Sequence, residues 1–174
     1  MKNPRHSLPN RRSLRLQGYD YRGAGAYFVT ICTMEKRPLF GTVRDGSVQL
    51  NELGQIADNC WKQIERVRRA IAMDAYIVMP NHIHGILHFS TKDAAANAPA
   101  TARELAAGSL GAILGQYKSI VTKRSQFLQS PPTPPIWQRN YYDHIIRSAA
   151  SLEKIRQYIV DNPARWVDDD LYIG

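Results

Sequence analysis

Residues 75–89 read AYIVMPNHIHGILHF, two apolar runs split by Pro80-Asn81. Pro-Asn is a turn dipeptide, so Ala75 to Met79 and His82 to Phe89 are expected to pair as an antiparallel hairpin. Successive side chains of an extended strand point to opposite faces, which puts His82 and His84 on one face and Ile83 on the other. Two imidazoles on one rigid strand make half of a metal site. Taken alone, they read better as two polar residues that finish a hairpin. His88 shares their face, either as a further ligand or as a histidine buried under a helix.

Outward from this hairpin the chain alternates. Upstream, Ala26 to Thr33 (AYFVTICT) is rich in aromatic and β-branched residues and follows the Gly23-Ala24-Gly25 breaker, so it reads as a first strand. Leu53 to Val67 carries Leu53, Ile56, Ala57, Cys60, Trp61, Ile64 and Val67 at three- and four-residue steps, an amphipathic helix. Between these two, Arg44-Asp45-Gly46 marks the turn of a short hairpin excursion. Downstream, residues 90–104 have no periodic face and read as a mobile loop. Leu105 to about Phe127 keeps helical spacing, and Gln129 to Pro135 is too proline-rich for regular structure. Ile136 to Ile146 (IWQRNYYDHII) is expected as the fourth main strand. Ser148 or Ser151 caps a last helix running to about Asn162, where Pro163 discourages continuation. The order β-α-β-β-α-β-α implies an α+β domain: an antiparallel sheet with helices mainly on one face.

Composition narrows the function classes. The 174 residues suffice for one domain with a real core, and 44% hydrophobic with 22% charged content is that of a globular protein. No apolar stretch approaches the roughly 20 residues of a membrane span, and the N-terminus lacks a signal-peptide core. A cytoplasmic, nucleoid-associated protein is expected. Cys32 and Cys60 are too few for a disulfide framework and lack metal-type spacing, so they read as small buried hydrophobes. A net charge of +8 and a pI near 9.7 favour a polyanionic partner. Residues 1–24, with Lys2, Arg5, Arg11, Arg12, Arg15 and Arg22 against Asp20, form a basic arm. Lys62, Arg66, Arg68 and Arg69 form a second cluster, readable as a solvated helix face or as a phosphate-contacting surface.

The last helix supplies the rest of a site. Tyr158 and Asn162 are four residues apart and project from the same side of it. The Asn162 amide oxygen is a candidate third ligand beside a tyrosine nucleophile. A mixed N/O shell without thiolates suits Mg²⁺ or Mn²⁺ bound together with substrate phosphate. A phenol with an ordinary pKa of about 10 is a weak nucleophile unless a base, a metal or a cation helps it. A divalent ion held by His82, His84 and Asn162 would polarise a phosphodiester for attack by Tyr158. The product is a phosphotyrosyl enzyme, whose retained bond energy lets a second hydroxyl rejoin strands without ATP.

These residues bring a family into view. The sequence resembles the single-tyrosine HUH transposases of bacterial insertion sequences, most closely the REP-associated tyrosine transposases. The resemblance covers most of the chain: Arg11-Arg12-Ser13-Leu14-Arg15-Leu16, Tyr19-Asp20-Tyr21, Tyr27 to Thr30, Met79 to Gly85, Trp137 to His144, and Tyr158-Ile159 with Asn162-Pro163. It implies a ferredoxin-like or RRM-like fold over residues 25–166, between the basic arm and a short acidic tail at 167–174. It also implies that His82 and His84 are the metal pair, Tyr158 the nucleophile and Asn162 the residue completing the metal shell. Many insertion-sequence relatives have Gln there, and Asn points to the REP-associated branch. The implied substrate is single-stranded DNA carrying a hairpin, cleaved to leave a 5′-phosphotyrosine and a free 3′-OH. Any DNA-contacting C-terminal extension is expected to be minimal.

Competing readings attach to several residues. Tyr141 or Tyr142 is an alternative nucleophile, although neither has an Asn one helical turn onward. Asp143 and His144 either orient the tyrosine or accept its proton, or His144 is simply satisfied by its surroundings. Asp168-Asp169-Asp170 resembles a metal cluster only in composition, and a solvated acidic tail is the favoured reading. Arg11, Arg12, Arg15 and Arg139 are candidate DNA contacts, and Trp61, Trp137 and Trp166 are core residues or base-stacking platforms. A hairpin-binding protein with little or no turnover is the alternative to the strand transferase; a metallohydrolase using activated water is a more distant one. A monomer and a homodimer fit the sequence equally.

Overall fold

Four strands, β1 (Gly25–Cys32), β4 (Ile71–Val78), β5 (His82–Phe89) and β6 (Tyr142–Ile146), form the main sheet. They run in the order β4-β5-β1-β6, every neighbouring pair antiparallel. A separate hairpin of β2 (Gly41–Arg44) and β3 (Ser47–Leu50) turns at Asp45-Gly46, both with positive φ, as the Arg44-Asp45-Gly46 signal predicts. Three helices complete the fold: α1 (Glu52–Val67), α2 (Leu110–Ser125) and α3 (Ala149–Asp161). This computed structural model describes residues 24–90, 109–128 and 135–173. The basic arm with Arg11, Arg12 and Arg15, all but the first residue of the loop expected over residues 90–104, and most of the proline-rich stretch lie outside the described residues.

With β2 and β3 set aside, the order is the β-α-β-β-α-β of a ferredoxin-like sheet, followed by one helix. Alternation along the strands sorts the core into two layers. On one face Tyr27, Val29 and Ile31 of β1 and Ile83 and Leu87 of β5 pack under α1 and α2. Gly85 belongs to this face; a Cβ there would sit 2.3 Å from the Trp61 ring, so glycine is what lets Trp61 lie against the sheet. On the other face Phe28, Ile86 and Ile146 meet Ile159 of α3. Ile159 is 1% exposed, and burying such a side chain contributes about 2 kcal/mol. Two helices therefore cover one face and α3 the other, the one that carries His82 and His84.

Helix α3 begins where its cap dictates. Ser148, not Ser151, is the N-cap, its hydroxyl accepting the Ser151 N–H at 3.1 Å, and Asn162 is the C-cap before Pro163. Three boundaries differ from the sequence reading. α2 starts at Leu110, with Ser109 in extended backbone as its N-cap, and not at Leu105. β4 starts at Ile71, because the ladder survives Asp74 through a register shift between Met73 and Tyr76. The expected strand over 136–146 is regular only from Tyr142. Asn140 adopts φ 69°, a left-handed conformation that interrupts the ladder, and upstream of it Trp137 makes a single bridge to Thr33. No helix among the described residues is long and apolar enough to cross a membrane.

Candidate active site and metal centre

His82 and His84 lie side by side on β5, ring centroids 4.4 Å apart, 0% and 2% exposed. Each ring is fixed through Nδ1. Asn81 donates both its amide hydrogens, to the carbonyls of Lys36 (2.9 Å) and Leu171 (2.7 Å), which turns its Oδ1 toward His82 Nδ1 at 2.8 Å. An amide oxygen only accepts, so Nδ1 carries the proton and Nε2 presents a lone pair. Thr30 Oγ1 holds His84 Nδ1 at 2.9 Å across the β1–β5 ladder, where Thr30 and His84 are register partners. Fixing one ring nitrogen to set the other as ligand is the arrangement of metal-binding histidines.

Helix α3 brings Tyr158 to this pair. Its hydroxyl lies 3.3 Å from His84 Nε2, and its ring is 5.2 Å from that of His84, within one chain. One turn later Asn162 is 2% exposed. Its Nδ2 donates to Asp169 Oδ2 at 2.7 Å, while Asp169 Oδ1 accepts the Leu171 N–H at 2.7 Å. The ligand atoms of His82, His84 and Asp169 all lie within 4.8 Å of one another. The sequence-predicted residues His82, His84, Tyr158 and Asn162 are thus brought together, and Asp169 joins them.

Asp169 corrects the reading of Asp168-Asp169-Asp170 as a solvated tail. The chain turns back after α3, and a 3-10 turn over Trp166–Asp168 places the Trp166 ring 5.8 Å from that of His82. A tail that buries a tryptophan against the sheet carries its neighbouring carboxylate into the site. Asp168 and Asp170 remain exposed.

The other candidates resolve by geometry. His88 is engaged by Asp74 (Nε2 to Oδ2, 2.9 Å) and stays out of the cluster. Tyr142 and His144 are exposed on β6, and Tyr142 pairs with Thr30 on β1, one strand removed from the histidines. Arg139 is exposed in the segment leading into β6. Trp61 and Trp166 are buried, and Trp137 is half-buried against Phe40 and Tyr117. Cys60 is a buried core thiol as expected, and Cys32 is half-buried. Within the second basic cluster, Lys62 pairs with Asp58 and Arg68 donates to Gln116.

The electrostatics suit a cation. Burial lowers His82 to about 4, against the opposing pull of Asp169, and pushes His84 well below its ordinary value. Both imidazoles are therefore neutral ligands at pH 7. Burial, then the negative charges of Asp169 and Asp170, raise the Tyr158 phenol to about 12. Three buried side-chain polar atoms lack a hydrogen-bond partner among the described residues, and two of them, His82 Nε2 and Asn162 Oδ1, belong to this site. A buried acceptor without a donor costs about 1–3 kcal/mol, a cost that coordination of a cation removes. Two neutral imidazoles, an amide oxygen and a carboxylate fit a divalent metal.

No protein-family model matches the chain. It is 36% identical over 173 residues to an uncharacterized protein of Haemophilus influenzae, covering 95% of each chain. Among solved structures it is similar to a REP-associated tyrosine transposase bound to a REP hairpin, with a TM-score of 0.61 and 18% identity over 87% of this chain and 73% of that one. The expected resemblance holds at the level of the fold.

Proposed function

The chain belongs to one family with the Haemophilus influenzae protein and has the fold of a REP-associated tyrosine transposase, and on that premise we propose that it is a metal-dependent endonuclease and strand transferase acting on single-stranded DNA beside hairpins. The observation that carries this reading is the Tyr158 hydroxyl 3.3 Å from His84 Nε2, beside a cluster of side chains able to ligate a metal, His82 and His84 buried and Asp169 half-buried. A nucleophile and a cation site sharing one histidine is an arrangement for chemistry on a charged ester.

His82, His84 and Asp169 would hold the ion, with the Asn162 carbonyl oxygen; Mg²⁺ or Mn²⁺ suits these nitrogen and oxygen donors. When bound, the ion supplies Lewis-acid polarisation of the phosphodiester and a positive charge beside a phenol otherwise held at about 12. Tyr158 Oη attacks phosphorus and the bond from phosphorus to the 3′ oxygen breaks. The phenol proton leaves by way of water, since Tyr158 is 44% exposed, and the departing oxygen becomes a 3′-OH. A 3′-OH attacking the 5′-phosphotyrosine reverses the step and joins strands. Tyr158 meets His84 of its own chain, so one subunit holds a complete set of these residues.

Incubation with end-labelled hairpin DNA bearing single-stranded flanks, in Mg²⁺ or Mn²⁺, tests the reading on a denaturing gel. Cleavage with a covalent adduct that disappears in Tyr158→Phe is expected. Cleavage that survives this change sinks the tyrosine mechanism, and hairpin binding without cleavage in either metal would make the protein a hairpin-binding module instead.

A further inference from the structure

On β6, the edge strand of the sheet, Tyr142, His144 and Ile146 are the register partners of Thr30, Phe28 and Ala26. Directly paired residues share a face, so Tyr142 and His144 stand on the face that carries His84 and Tyr158. Both are exposed, Tyr142 by 47%. Phe28, 8% exposed, is the common neighbour: Tyr142 meets its ring edge-on at 6.4 Å, Tyr158 meets it edge-on at 6.1 Å, and His84 lies 5.2 Å from it. An outward-facing aromatic ring, braced by the same phenylalanine that braces the nucleophile, is left uncovered beside the site. Arg139 and Arg147, both exposed, flank β6 at its two ends.

We propose that Tyr142, with His144 beside it, is a stacking subsite for an unpaired nucleobase of single-stranded DNA next to the phosphate presented to Tyr158. An exposed aromatic on an open sheet face offers a base a π-surface without reading its sequence, and flanking arginines suit the phosphates on either side. A strand that leaves the phosphate at Tyr158 across this face of the sheet meets β6 at one edge and β4 at the other. The β4 side is closed by the Asp74–Arg156 ion pair to α3, whereas β6 presents exposed rings. This inference rests on DNA being the substrate.

The test measures affinity for a DNA hairpin with a single-stranded flank and for the same hairpin without it, using the full chain and its Tyr142→Ala and Tyr142→Trp variants. Tyr142→Ala is expected to weaken binding of the flanked hairpin by about 5- to 100-fold, Tyr142→Trp to restore it, and both to bind the unflanked hairpin like the parent protein. A 2-aminopurine in the flank is expected to lose fluorescence on binding to the parent and to Tyr142→Trp, and to keep it with Tyr142→Ala. Equal affinity of Tyr142→Ala and parent for the flanked hairpin overturns the stacking subsite while leaving DNA as the substrate. Equal loss on both hairpins also overturns it, as a fold defect, and failure of the parent protein to bind either DNA overturns the function on which it rests.

Discussion

Asn162 Nδ2 donates to Asp169 Oδ2 at 2.7 Å, which commits the nitrogen end of the amide and leaves its carbonyl oxygen buried with no hydrogen-bond partner among the described residues. A residue at the end of α3 and one in the turn that follows it are thereby placed where, under the proposed function, they would hold a cation together with the two histidines. Asp169→Ala removes both a carboxylate donor and the group that orients Asn162. Mn²⁺ affinity, read by calorimetry, is expected to fall on the order of 10- to 100-fold; unchanged affinity would mean that Asp169 takes no part in the site.

Burial also makes the two histidines an acid-sensitive element. Unfolded, each titrates near 6.5, whereas folded His82 lies at about 4 and His84 well below its ordinary value. A folded value below the unfolded one means stability fully present above pH 6.5 and lost as pH falls through the folded value. The metal-free protein is expected to lose about 3 kcal/mol from His82 alone between pH 6.5 and 4. Urea unfolding across that range should give a clearly flatter profile for His82→Asn, and parallel profiles would contradict the assignment.

Asp74 accepts from Arg156 Nε at 2.9 Å and Nη2 at 2.7 Å, tying β4 to the helix that carries Tyr158 two residues on. The Arg156 guanidinium, more than any other group, holds the Asp74 carboxyl far below the usual carboxylate range. Arg156→Ala is expected to slow formation of the DNA adduct on the order of 10-fold through misplacement of the tyrosine, with hairpin affinity unchanged. Single-turnover rates alongside binding isotherms check this; a parallel loss of affinity would assign Arg156 to DNA contact.

Gly85→Ala drives a methyl into Trp61. Overpacking of this kind costs about 1–3 kcal/mol, so Tm is expected to fall by about 5 °C. A melting curve that coincides with the parent's would show that Trp61 has another low-energy position.

The histidine pair and its strand were legible because period-2 alternation over His82 to Phe89 fixes which side chains share a face, and a slip of one residue would bury the wrong set. Helix α3 was legible at its end from Pro163, and at its start to within two candidate caps, Ser148 and Ser151, of which the structure uses Ser148. Asp169 was not, since its place depends on the chain reversing after α3, which no periodicity encodes. The available signal was Trp166, a large aromatic beside the acidic tail with Val167, Leu171, Tyr172 and Ile173 close behind it, whose burial docks that segment. The apolar run at Ala75 to Met79 marks only part of β4; upstream of it the strand includes Asp74, whose carboxylate is satisfied by Arg156 and His88, partners distant in sequence. The early end of β6 depends on the left-handed backbone of Asn140, which has no side-chain periodicity to reveal it.

The most direct test of the account is the site of the covalent bond. Trapping the reaction with hairpin DNA in Mn²⁺, digesting protein and DNA, and sequencing the modified peptide by mass spectrometry locates it. The account predicts a nucleotide linked through its 5′-phosphate to Tyr158. The same mass on Tyr141 or Tyr142, or cleaved DNA with no modified peptide, would contradict it.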